Sequence, residues 1–467
     1  MTKNFKVLLP EFPNQKFNIL DYGAKSELDF NNQKAFQSAI DACALAGGGT
    51  VLVPNGYYYT GPIELKSNVC LYVEENALIQ FSKSKEEYPL EWTDYEGQRH
   101  IRAISPIRAV GQTNIAITGK GTIDGSGHLW RAIKQMKLTE KEWKRCLAKS
   151  PYVRPGKEGD IWYPTKTALD GFELGEPDFN DPDALKKAQE NYDYYRPVLV
   201  SFKKCDKVLI EGVTLQNSPA WNIHPWFCSN FTLKNAKVRN KYSAQNGDGI
   251  DIESCKNCEI VGSTFEVGDD GICIKSGKNK EARQIASPCE NIWIHDCKVF
   301  DAHGGFVVGS EMSRGVKNIL VEDCTFVGTD IGVRFKSAMG RGGVVEDIDI
   351  KNISMIDILE EACIFTMGYT LFNFDKKDEA DVDGSCREDI PEFKNITLSN
   401  IVCKGAKIGV KILGLEQLPI HDIHFENVNI VCDKTIDLKH CERISFENTT
   451  ILGINEKLNY KKEVLKA

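Results

Sequence analysis

NFTLKNAKV (residues 230–238) is one copy of a phrase that returns as NCEIVGSTF (257–265), NIWIHDCKVF (291–300) and NILVEDCTF (318–326). Each copy alternates apolar and polar residues with period two, which is typical of a half-buried β-strand. Asn opens each copy, and a second Asn, Gly or Asp interrupts it before the next apolar residue. The phrase therefore predicts short strands that are separated by tight turns.

The same phrase extends to both sides of this stretch. Further copies are NIAITGKGTI (114–123), KVLIEGVTL (207–215), DIDIKNISM (347–355), NITLSNIVC (395–403), DIHFENVNI (422–430) and RISFENTTI (443–451). Most copies begin roughly 21 to 34 residues apart, which is the range of solenoid repeats. We predict an all-β fold in which residues 1–467 form a single right-handed parallel β-helix. A leucine-rich repeat is the alternative, but leucine does not recur at fixed positions.

The N-terminal region has a different pattern. FNILDYGA (17–24) predicts a strand and a turn, and Asp29 then precedes an apolar pattern of helical period that ends at three glycines, Gly47 to Gly49. The apolar positions of this pattern are Ala35, Phe36, Ala39, Ile40 and Cys43. An Asp cap and a terminal Gly run predict a helix that covers the open end of the strand stack.

Residues 126–195 interrupt the repeat. They contain LTEKEWKRCLA, which predicts a helix with Thr139 as its cap and Glu142 completing a capping box. They also contain Trp130, Trp162, Tyr163 and the Tyr-rich stretch NYDYYRP. Long insertions in solenoids map to one face, which is often the binding face. A flap that only stabilises the fold is an equally good interpretation.

Composition narrows the class of protein. The chain has 467 residues, 42% of them hydrophobic, and a formal net charge of −8. A nucleic-acid-binding protein would carry a basic patch, and none is evident, so we expect no nucleic-acid partner. No apolar stretch is long enough to span a membrane or serve as a leader, which predicts a cytoplasmic protein, or a secreted or periplasmic one if a leader was removed. Assembly into homo-oligomers stays open.

The chain has 16 cysteines. Without a leader, so many cysteines indicate reduced thiols rather than a disulfide framework. Cys255 and Cys258 form a lone C-x-x-C pair, and no second pair follows at metal-binding spacing. We interpret both as small, nearly apolar residues of a stacked core.

Three aspartates lie in QNGDGIDIESCKNCEIVGSTFEVGDDGICIKSG (residues 245–277). Asp248 is separated by about one coil from Asp269 and Asp270, and equivalent positions of successive coils stack about 4.8 Å apart. The three carboxylates should therefore be neighbours, and their repulsion should raise at least one pKa. A protonated acid beside ionised carboxylates is the arrangement that glycoside hydrolysis needs. Taken alone, however, G-D-D-G is more often a turn, and Asp clusters also bind calcium.

The following coils make the signal more specific. The next coil carries His303, the one after it carries Arg334 and Lys336, and the next offers Tyr369. Residues two apart on a strand share a face, so Arg334 and Lys336 should point the same way. A basic pair of this kind suits a sugar carboxylate, which Arg can bind through two parallel hydrogen bonds.

This column of residues resembles glycoside hydrolase family 28, the polygalacturonases. The motifs N-T-D, D-D, G-H-G and R-x-K of that family match residues 246–248, 269–270, 302–304 and 334–336. The resemblance covers about residues 17–450, and NSPAWNIHP (217–225) and GSEMSRGVKNI (309–319) resemble its bacterial branch, which contains many exo-acting enzymes. Gly247 and Ala302 depart from the usual Thr and Gly without removing a catalytic group.

The resemblance implies a role for each matching residue. Asp269 would be the general acid, Asp248 and Asp270 would activate the attacking water with inversion at the anomeric carbon, and His303 would tune the acid or relay its proton. The residues that would bind galacturonate are Asn246, Arg334, Lys336, Tyr369 and, as a further candidate, His224. No metal and no cofactor is implied, and the partner is a pectic polysaccharide or an oligogalacturonide.

Four functions stay open at this point. The first is hydrolysis of α-1,4-linked galacturonic acid in pectin or polygalacturonate, and exo action is favoured because the insertion at 126–195 could close one end of a groove. The second is hydrolysis of rhamnogalacturonan or of unsaturated oligogalacturonides, since the basic pair suits any galacturonate subsite. A pectate lyase and a non-catalytic carbohydrate-binding β-helix are the others.

Overall fold

A computed structural model describes residues 5–157, 159–178, 180–285, 287–369 and 386–467. Most of its strands lie in two parallel sheets that wind around one core. The wider sheet has 23 strands, and all but the last of these pair in parallel. Its strands are Lys16–Asn18, Gly49–Val53, Gly56–Thr60, Val69–Val73, Ala77–Phe81, Thr113–Gly119, Thr122–Asp124, Asp206–Glu211, Thr214–Gln216, Ser229–Lys234, Lys237–Arg239, Lys256–Val261, Thr264–Glu266, Cys289–His295, Lys298–Phe300, Val316–Glu322, Thr325–Val327, Val344–Ile356, Glu392–Phe393, Ile396–Lys404, Ile420–Val431, Cys441–Leu452 and Lys457–Leu465.

The narrower sheet contributes one strand to each coil, and its spatial order follows the chain order. Its strands are β1 (Ile63–Glu64), β2 (Ile107–Val110), β3 (Val200–Lys203), β4 (Ile223–Trp226), β5 (Ile250–Glu253), β6 (Asp270–Lys275), β7 (Gly304–Val308), β8 (Ile331–Lys336), β9 (Glu361–Thr366), β10 (Ile408–Leu413) and β11 (Lys434–Lys439). Parallel strands that return coil after coil, with the right-handed crossover that such connections adopt, form a right-handed parallel β-helix. The predicted fold class is confirmed.

The turns explain why Asn opens the repeated phrase. Asn230, Asn257, Asn291 and Asn318 all have left-handed backbone conformations, with φ between 52° and 61°. Asn tolerates this region far better than branched or bulky residues do. The side chains also stack, because Asn291 donates to the Asn257 amide oxygen at 2.9 Å and Asn318 donates to that of Asn291 at 2.6 Å. The repeat therefore marks a turn that every coil has to make.

One apolar core runs along the axis, with members from Ile19 to Ile451. Phenylalanines of successive coils stack inside it, and the rings of Phe335 and Phe365 lie 4.7 Å apart and nearly parallel. Cys255 and Cys258 are fully buried in the same cluster, so their interpretation as core residues is confirmed.

The N-terminal helix α1 (Gln33–Leu45) packs its apolar face into the start of this core, as predicted. Its N-cap is Asn32, so the prediction of Asp29 as the cap was wrong. Asn31 instead accepts a hydrogen bond from the backbone N–H of Gln33, and the helix therefore begins later than the acidic residue indicated.

The insertion between Asp124 and β3 contains most of the remaining helices. The predicted helix is α2 (Glu140–Lys149), with the capping box of Thr139 and Glu142 in place. Among the described residues, further α-helices are α3 (Lys166–Leu174), α4 (Ala184–Glu190) and, outside the insertion, α5 (Asn279–Ile285). Short 3-10 helices span Ile19–Tyr22, Lys85–Glu87, Gly127–Leu129, Gln135–Lys137, Tyr192–Tyr194 and Arg387–Asp389. The insertion also has a small sheet of Ile133–Lys134, Val153–Gly156 and Gly159–Trp162.

A hairpin of Leu90–Tyr95 and Gln98–Ala103 projects between β1 and β2. Its tip reaches the loop after β6, where the backbone N–H of Lys278 donates to the carbonyl of Glu96 at 2.7 Å. The hairpin therefore crosses the outer face of the intervening coils. Within the described part of the chain, no helix has the length and apolarity that a membrane crossing needs.

Candidate active site

The predicted site residues gather at successive strands of the narrower sheet. Asp248 lies just before β5, Asp270 begins β6, and His303 comes directly before β7. Arg334 and Lys336 lie on β8. Because Asp270 pairs in register with Gly304 and Gly304 with Ile331, these short segments follow one another along the axis.

The three aspartates form one cluster. Oxygen atoms of Asp248, Asp269 and Asp270 all lie within 4.8 Å of one another, so the predicted proximity is confirmed. Inverting glycosidases commonly separate their two carboxyl groups by about 6.5 to 9.5 Å. The stacked coils hold these carboxylates closer than that, so their spacing alone does not indicate the stereochemical course.

Asp270 is held by the basic pair. Lys336 Nζ lies 2.6 Å from its Oδ2, and an Arg334 guanidinium nitrogen lies 3.5 Å from its Oδ1. The Asp270 side chain is almost fully buried. Burial would raise its pKa, but Lys336 and Arg334 outweigh this and hold the pKa below its usual range. Arg334 and Lys336 point the same way, as predicted.

Asp269 accepts hydrogen bonds at both carboxylate oxygens. Oδ1 receives the backbone N–H of Asp270 at 3.0 Å and faces His303 Nδ1 at 3.1 Å, and Oδ2 receives the backbone N–H of Asn246 at 3.2 Å. Burial would raise its pKa, but the hydrogen bond from His303 and the charges of Lys336 and Lys137 hold the pKa well below its usual range. In the free protein Asp269 is therefore ionised.

Asp248 is the member of the cluster that holds a proton most tightly. Burial, followed by the charges of Asp251, Asp269 and Asp270, raises its pKa well above the usual range. The sequence predicted that one carboxylate would show such a rise, and the structure places it on Asp248. The catalytic roles of the individual aspartates stay predictions.

Tyr369 and Asn246 flank the cluster. The Tyr369 ring lies 5.2 Å from Lys336 Nζ and 5.8 Å from the Arg334 guanidinium carbon, which is cation–π distance. The Asn246 side-chain oxygen accepts a hydrogen bond from Arg196 at 2.7 Å. Tyr369 thus borders the basic pair and Asn246 borders Asp269, and their part in binding stays a prediction.

His224 is close to the cluster but enclosed. Its side chain is 2% exposed, and its Nε2 lies 2.8 Å from a carboxylate oxygen of Glu253. Tyr95 of the hairpin and Trp221 pack on its ring. The suggested role of His224 in substrate binding stays a prediction, and in this arrangement His224 would act through Glu253 and Trp221 rather than by direct contact.

The aspartate cluster also has the donor set of a hard cation site, because carboxylate oxygens are preferred by Ca²⁺ and Mg²⁺. Lys336 and Arg334 already supply positive charge to Asp270. A divalent cation would have to displace this basic pair or lie against its positive charge. The carboxylates suit such an ion, but the site as a whole fits it poorly.

Comparison with known proteins gives the family. Residues 177–450 match the profile described as Glycosyl hydrolases family 28. The chain belongs to that family. The resemblance to this family is therefore confirmed.

Two sequence relatives and one solved structure show which members of family 28 this chain is similar to. It is 28% identical over 365 residues to an exo-poly-alpha-D-galacturonosidase of Dickeya chrysanthemi. The match covers 75% of this chain but only 57% of that protein. It is 27% identical to an endo-polygalacturonase of Pectobacterium carotovorum subsp. carotovorum, over 82% of this chain and 80% of that protein. Among solved structures, a hyperthermoactive exopolygalacturonase from Thermotoga maritima superposes with a TM-score of 0.80 and 30% identity, covering 98% of this chain and 96% of that one.

Sequence reasoning missed two residues at the site of this family 28 protein. Lys137, from the insertion, lies 2.7 Å from His303 Nε2, and Asp330 has a carboxylate oxygen 3.6 Å from the same nitrogen. Asp330 precedes Arg334 by four residues and could have been found by following the chain back from the basic pair. No sequence signal indicates Lys137, because its position depends on how the insertion folds back.

A buried charge network behind the cluster was also missed. Lys275 lies 2.7 Å from a carboxylate oxygen of Glu311 and 3.7 Å from one of Asp251. Asp251 and Glu253 have fully buried side chains, and burial raises the pKa of each well above its usual range. The alternation of NGDGIDIE placed both residues on the outer face of β5, but their burial comes from the hairpin and the loops that cover it.

Proposed function

We propose that this protein hydrolyses α-1,4-linked galacturonic acid in polygalacturonate or pectin, from a chain end and with inversion. The observation that carries the chemistry is the Asp248–Asp269–Asp270 cluster with its oxygen atoms within 4.8 Å. Membership of glycosyl hydrolases family 28 supports hydrolysis over elimination. The same membership speaks against a purely non-catalytic role.

The basic pair supports an acidic substrate. Arg334 and Lys336 are one strand beyond His303 and present their positive charges next to Asp270. A galacturonate carboxylate that enters between them would form charge-assisted hydrogen bonds, which Arg can make in pairs. The Tyr369 ring beside both cations would border this subsite.

The proton balance follows from the pKa directions in the cluster. In the free site Asp248 holds the proton and Asp269 is ionised. Burial and like charges raise the pKa of Asp248, while the hydrogen bond from His303 and the charges of Lys336 and Lys137 lower that of Asp269. Neighbouring carboxylates titrate as a unit, so the proton can redistribute within the cluster.

Substrate binding would reverse this distribution. The incoming carboxylate takes up part of the positive charge of Lys336, and the sugar excludes water, and both effects raise the pKa of Asp269. The proton then moves from Asp248 to Asp269, which leaves Asp248 ionised beside the attacking water.

The reaction then restores the starting state. Asp269 protonates the glycosidic oxygen as its bond to the anomeric carbon breaks, and the water oxygen forms the new bond to that carbon. The proton of the water passes to Asp248 while Asp270 helps to hold the water, so the cluster again carries one proton. General acid–base steps of this kind contribute about 10² to 10⁴ in rate.

The hairpin supports action at a chain end. On the N-terminal side of the cluster it covers the outer faces of β2, β3 and β4, and its Tyr95 stacks on Trp221 with ring centroids 4.5 Å apart. The space left beneath it is about 40 Å³. That volume admits a few water molecules but no hexuronate ring. A groove that ends beside the catalytic aspartates accepts the end of a polymer rather than its middle.

The names of the relatives do not agree on exo or endo action. The Dickeya and Thermotoga proteins are named as exo-acting, and the Pectobacterium relative of similar identity is named as endo-acting. Since the chain spans 57% of the Dickeya protein, the name of that protein is support only for the core chemistry. The hairpin is the feature of this chain that favours exo action.

Product analysis tests the proposal. Polygalacturonate and rhamnogalacturonan are digested separately, the products are sized by anion-exchange chromatography, and the first anomer released is followed by ¹H NMR. The expected result is monomer or dimer from polygalacturonate with the inverted anomer. A ladder of oligomers would overturn exo action, a retained anomer would overturn inversion, and a rise in ultraviolet absorbance would overturn hydrolysis.

The Asp269→Asn variant tests the assignment of the acid. Because the amide cannot donate the proton, we expect kcat to fall by a factor of about 10³. Unchanged turnover would overturn the role of Asp269.

A further inference from the structure

Lys137 connects the insertion to His303. It is the last residue of the 3-10 helix Gln135–Lys137, and its Nζ lies 2.7 Å from His303 Nε2. The same nitrogen lies 2.9 Å from the carbonyl oxygen of Gly268 and 3.2 Å from that of Tyr242. The Tyr242 ring lies 4.5 Å from the same nitrogen, so hydrogen-bond acceptors and an aromatic ring surround the Lys137 ammonium group.

The number of donors constrains the proton positions. A lysine ammonium has three N–H donors and no acceptor. Two of its contacts are carbonyl oxygens, which can only accept, and the third is His303 Nε2. If Lys137 is charged, Nε2 has to be the acceptor of the third hydrogen bond. The remaining imidazole proton then lies on Nδ1, which faces Asp269 Oδ1 at 3.1 Å.

We propose that Lys137 is a positioning residue that holds His303 as the neutral tautomer protonated on Nδ1, so that His303 donates to Asp269 and cannot relay its proton. Asp269 Oδ1 is then occupied by two donors, His303 and the backbone N–H of Asp270. Oδ2 accepts one backbone N–H, from Asn246, and keeps a lone pair for the catalytic proton. The inference rests on the proposed function, since it assigns which oxygen of the acid is reactive.

The charged groups around Lys137 and His303 favour this arrangement. Burial lowers the pKa of Lys137 below its usual range, and Lys134 adds to this, but Asp269, Asp330 and Asp248 attract the ammonium and oppose the effect. Asp330 Oδ2 is also 3.6 Å from His303 Nε2. Without Lys137, His303 would lie between the carboxylates of Asp269 and Asp330, which is a setting that favours the doubly protonated imidazolium. Lys137 therefore keeps a second proton away from Nε2.

A variant without the ammonium tests this role. In Lys137→Met, Nε2 no longer accepts a hydrogen bond from the ammonium, so we expect it to take up a second proton as the pH falls. The imidazolium would stabilise ionised Asp269, so kcat/KM should fall with decreasing pH and the acid limb should lie at higher pH than in the wild type. At pH 8 we expect kcat/KM within a factor of about three of the wild type.

Two controls separate positioning from structure. Lys137→Arg keeps a cation with several N–H donors and should restore the acid limb of the wild type. Lys144→Met removes an ammonium from α2 of the same insertion, where its side chain is 72% exposed, and should leave the profile unchanged. A loss of kcat/KM by the same factor at every pH in Lys137→Met would indicate a purely structural contact and overturn the proposal.

The tautomer of His303 can be measured directly by ¹⁵N NMR, without an activity assay. The full-length protein is labelled with ¹⁵N at histidine, and the His303 ring signals are assigned by their loss in His303→Asn. We expect Nδ1 protonated and Nε2 unprotonated at pH 8. A protonated Nε2 at this pH would overturn the proposal. If the wild type released no product from polygalacturonate, the proposed function would fail while this measurement still decided the tautomer. The wild-type spectrum also decides it if Lys137→Met does not fold.

Discussion

Lys336 Nζ lies 2.6 Å from Asp270 Oδ2, although the two residues belong to strands β8 and β6, with β7 between them. The side chain of Lys336 therefore reaches back along the helix axis to the carboxylate of Asp270. In the proposed function Lys336 would link substrate recognition to the ionisation of the site, because the cation proposed to bind the galacturonate also lowers the pKa of Asp270.

This link predicts a double effect of Lys336→Gln. The lost cation should raise KM, and the pKa of Asp270, now freed of its strongest attraction, should rise. Since Asp270 acts in its ionised form, a higher pKa moves the acid limb of kcat/KM to higher pH, by about one to two pH units. The measurement is a kcat/KM profile from pH 3.5 to 8. Lys411→Gln is the control, because Lys411 pairs with Glu361 on the same sheet beyond the site; a shift as large in the control would argue against a specific effect.

Asp248→Asn should inactivate the protein and stabilise it at the same time. The base is removed, so kcat should fall by a factor of about 10³. The pKa of Asp248 is raised in the folded state. Its burial costs no stability at low pH, where the carboxyl is protonated in both the folded and the unfolded chain. As the pH rises above the unfolded value of about 3.9, the unfolded chain ionises first and the fold is increasingly destabilised. The neutral amide escapes this cost. Tm of the variant should equal that of the wild type near pH 4 and exceed it at pH 7 to 8, as measured by calorimetry. A lower Tm at pH 8 would contradict the burial argument.

Gly97→Val should open the end of the groove. Gly97 lies at the tip of the hairpin with φ +69°, and a Cβ there would come within 2.6 Å of the Gly277 Cα. The tip would have to leave the loop after β6, so we expect longer products and a faster loss of polygalacturonate viscosity per bond cleaved. Gly111→Val is a matched control, because it has φ +65° but open space around the added Cβ. If both variants still released only monomer or dimer, the hairpin would not be what limits the groove.

Asn257 tests the turn that the repeat encodes. Its φ of 57° strains an alanine but not a glycine. Both Asn257→Ala and Asn257→Gly lose the hydrogen bond from Asn291, so their difference isolates the backbone conformation. We expect Asn257→Ala to have a free energy of unfolding about 1 kcal/mol lower than Asn257→Gly, from the midpoints of urea unfolding. Equal midpoints would contradict the role assigned to the turn.

The sequence predicted the repeating architecture because each coil makes the same local demands. Alternating residues such as Phe231 and Leu233 face the core, and Asn230 takes the left-handed turn, so both signals lie within a few residues of chain. The motifs around Asp248, Asp269, His303 and Arg334 were also readable, since stacking at a fixed spacing converts sequence period into spatial proximity. The misplaced cap at Asp29 was a local error, because Asn31 and Asn32 compete for the same helix start.

Only the tertiary structure decided how the site is charged and where the groove ends. Which aspartate holds the proton depends on burial and on the cations that reach it, and these come from β8 and from the insertion. Lys137 is 166 residues from His303 in the chain, and the tip of the hairpin meets the loop after β6 about as far away. Contacts of this kind follow no period in the sequence, because the insertion and the hairpin fold outside the repeat. The repeated coils thus fixed the position of the aspartates, while elements added to the coils set their ionisation and their access to substrate.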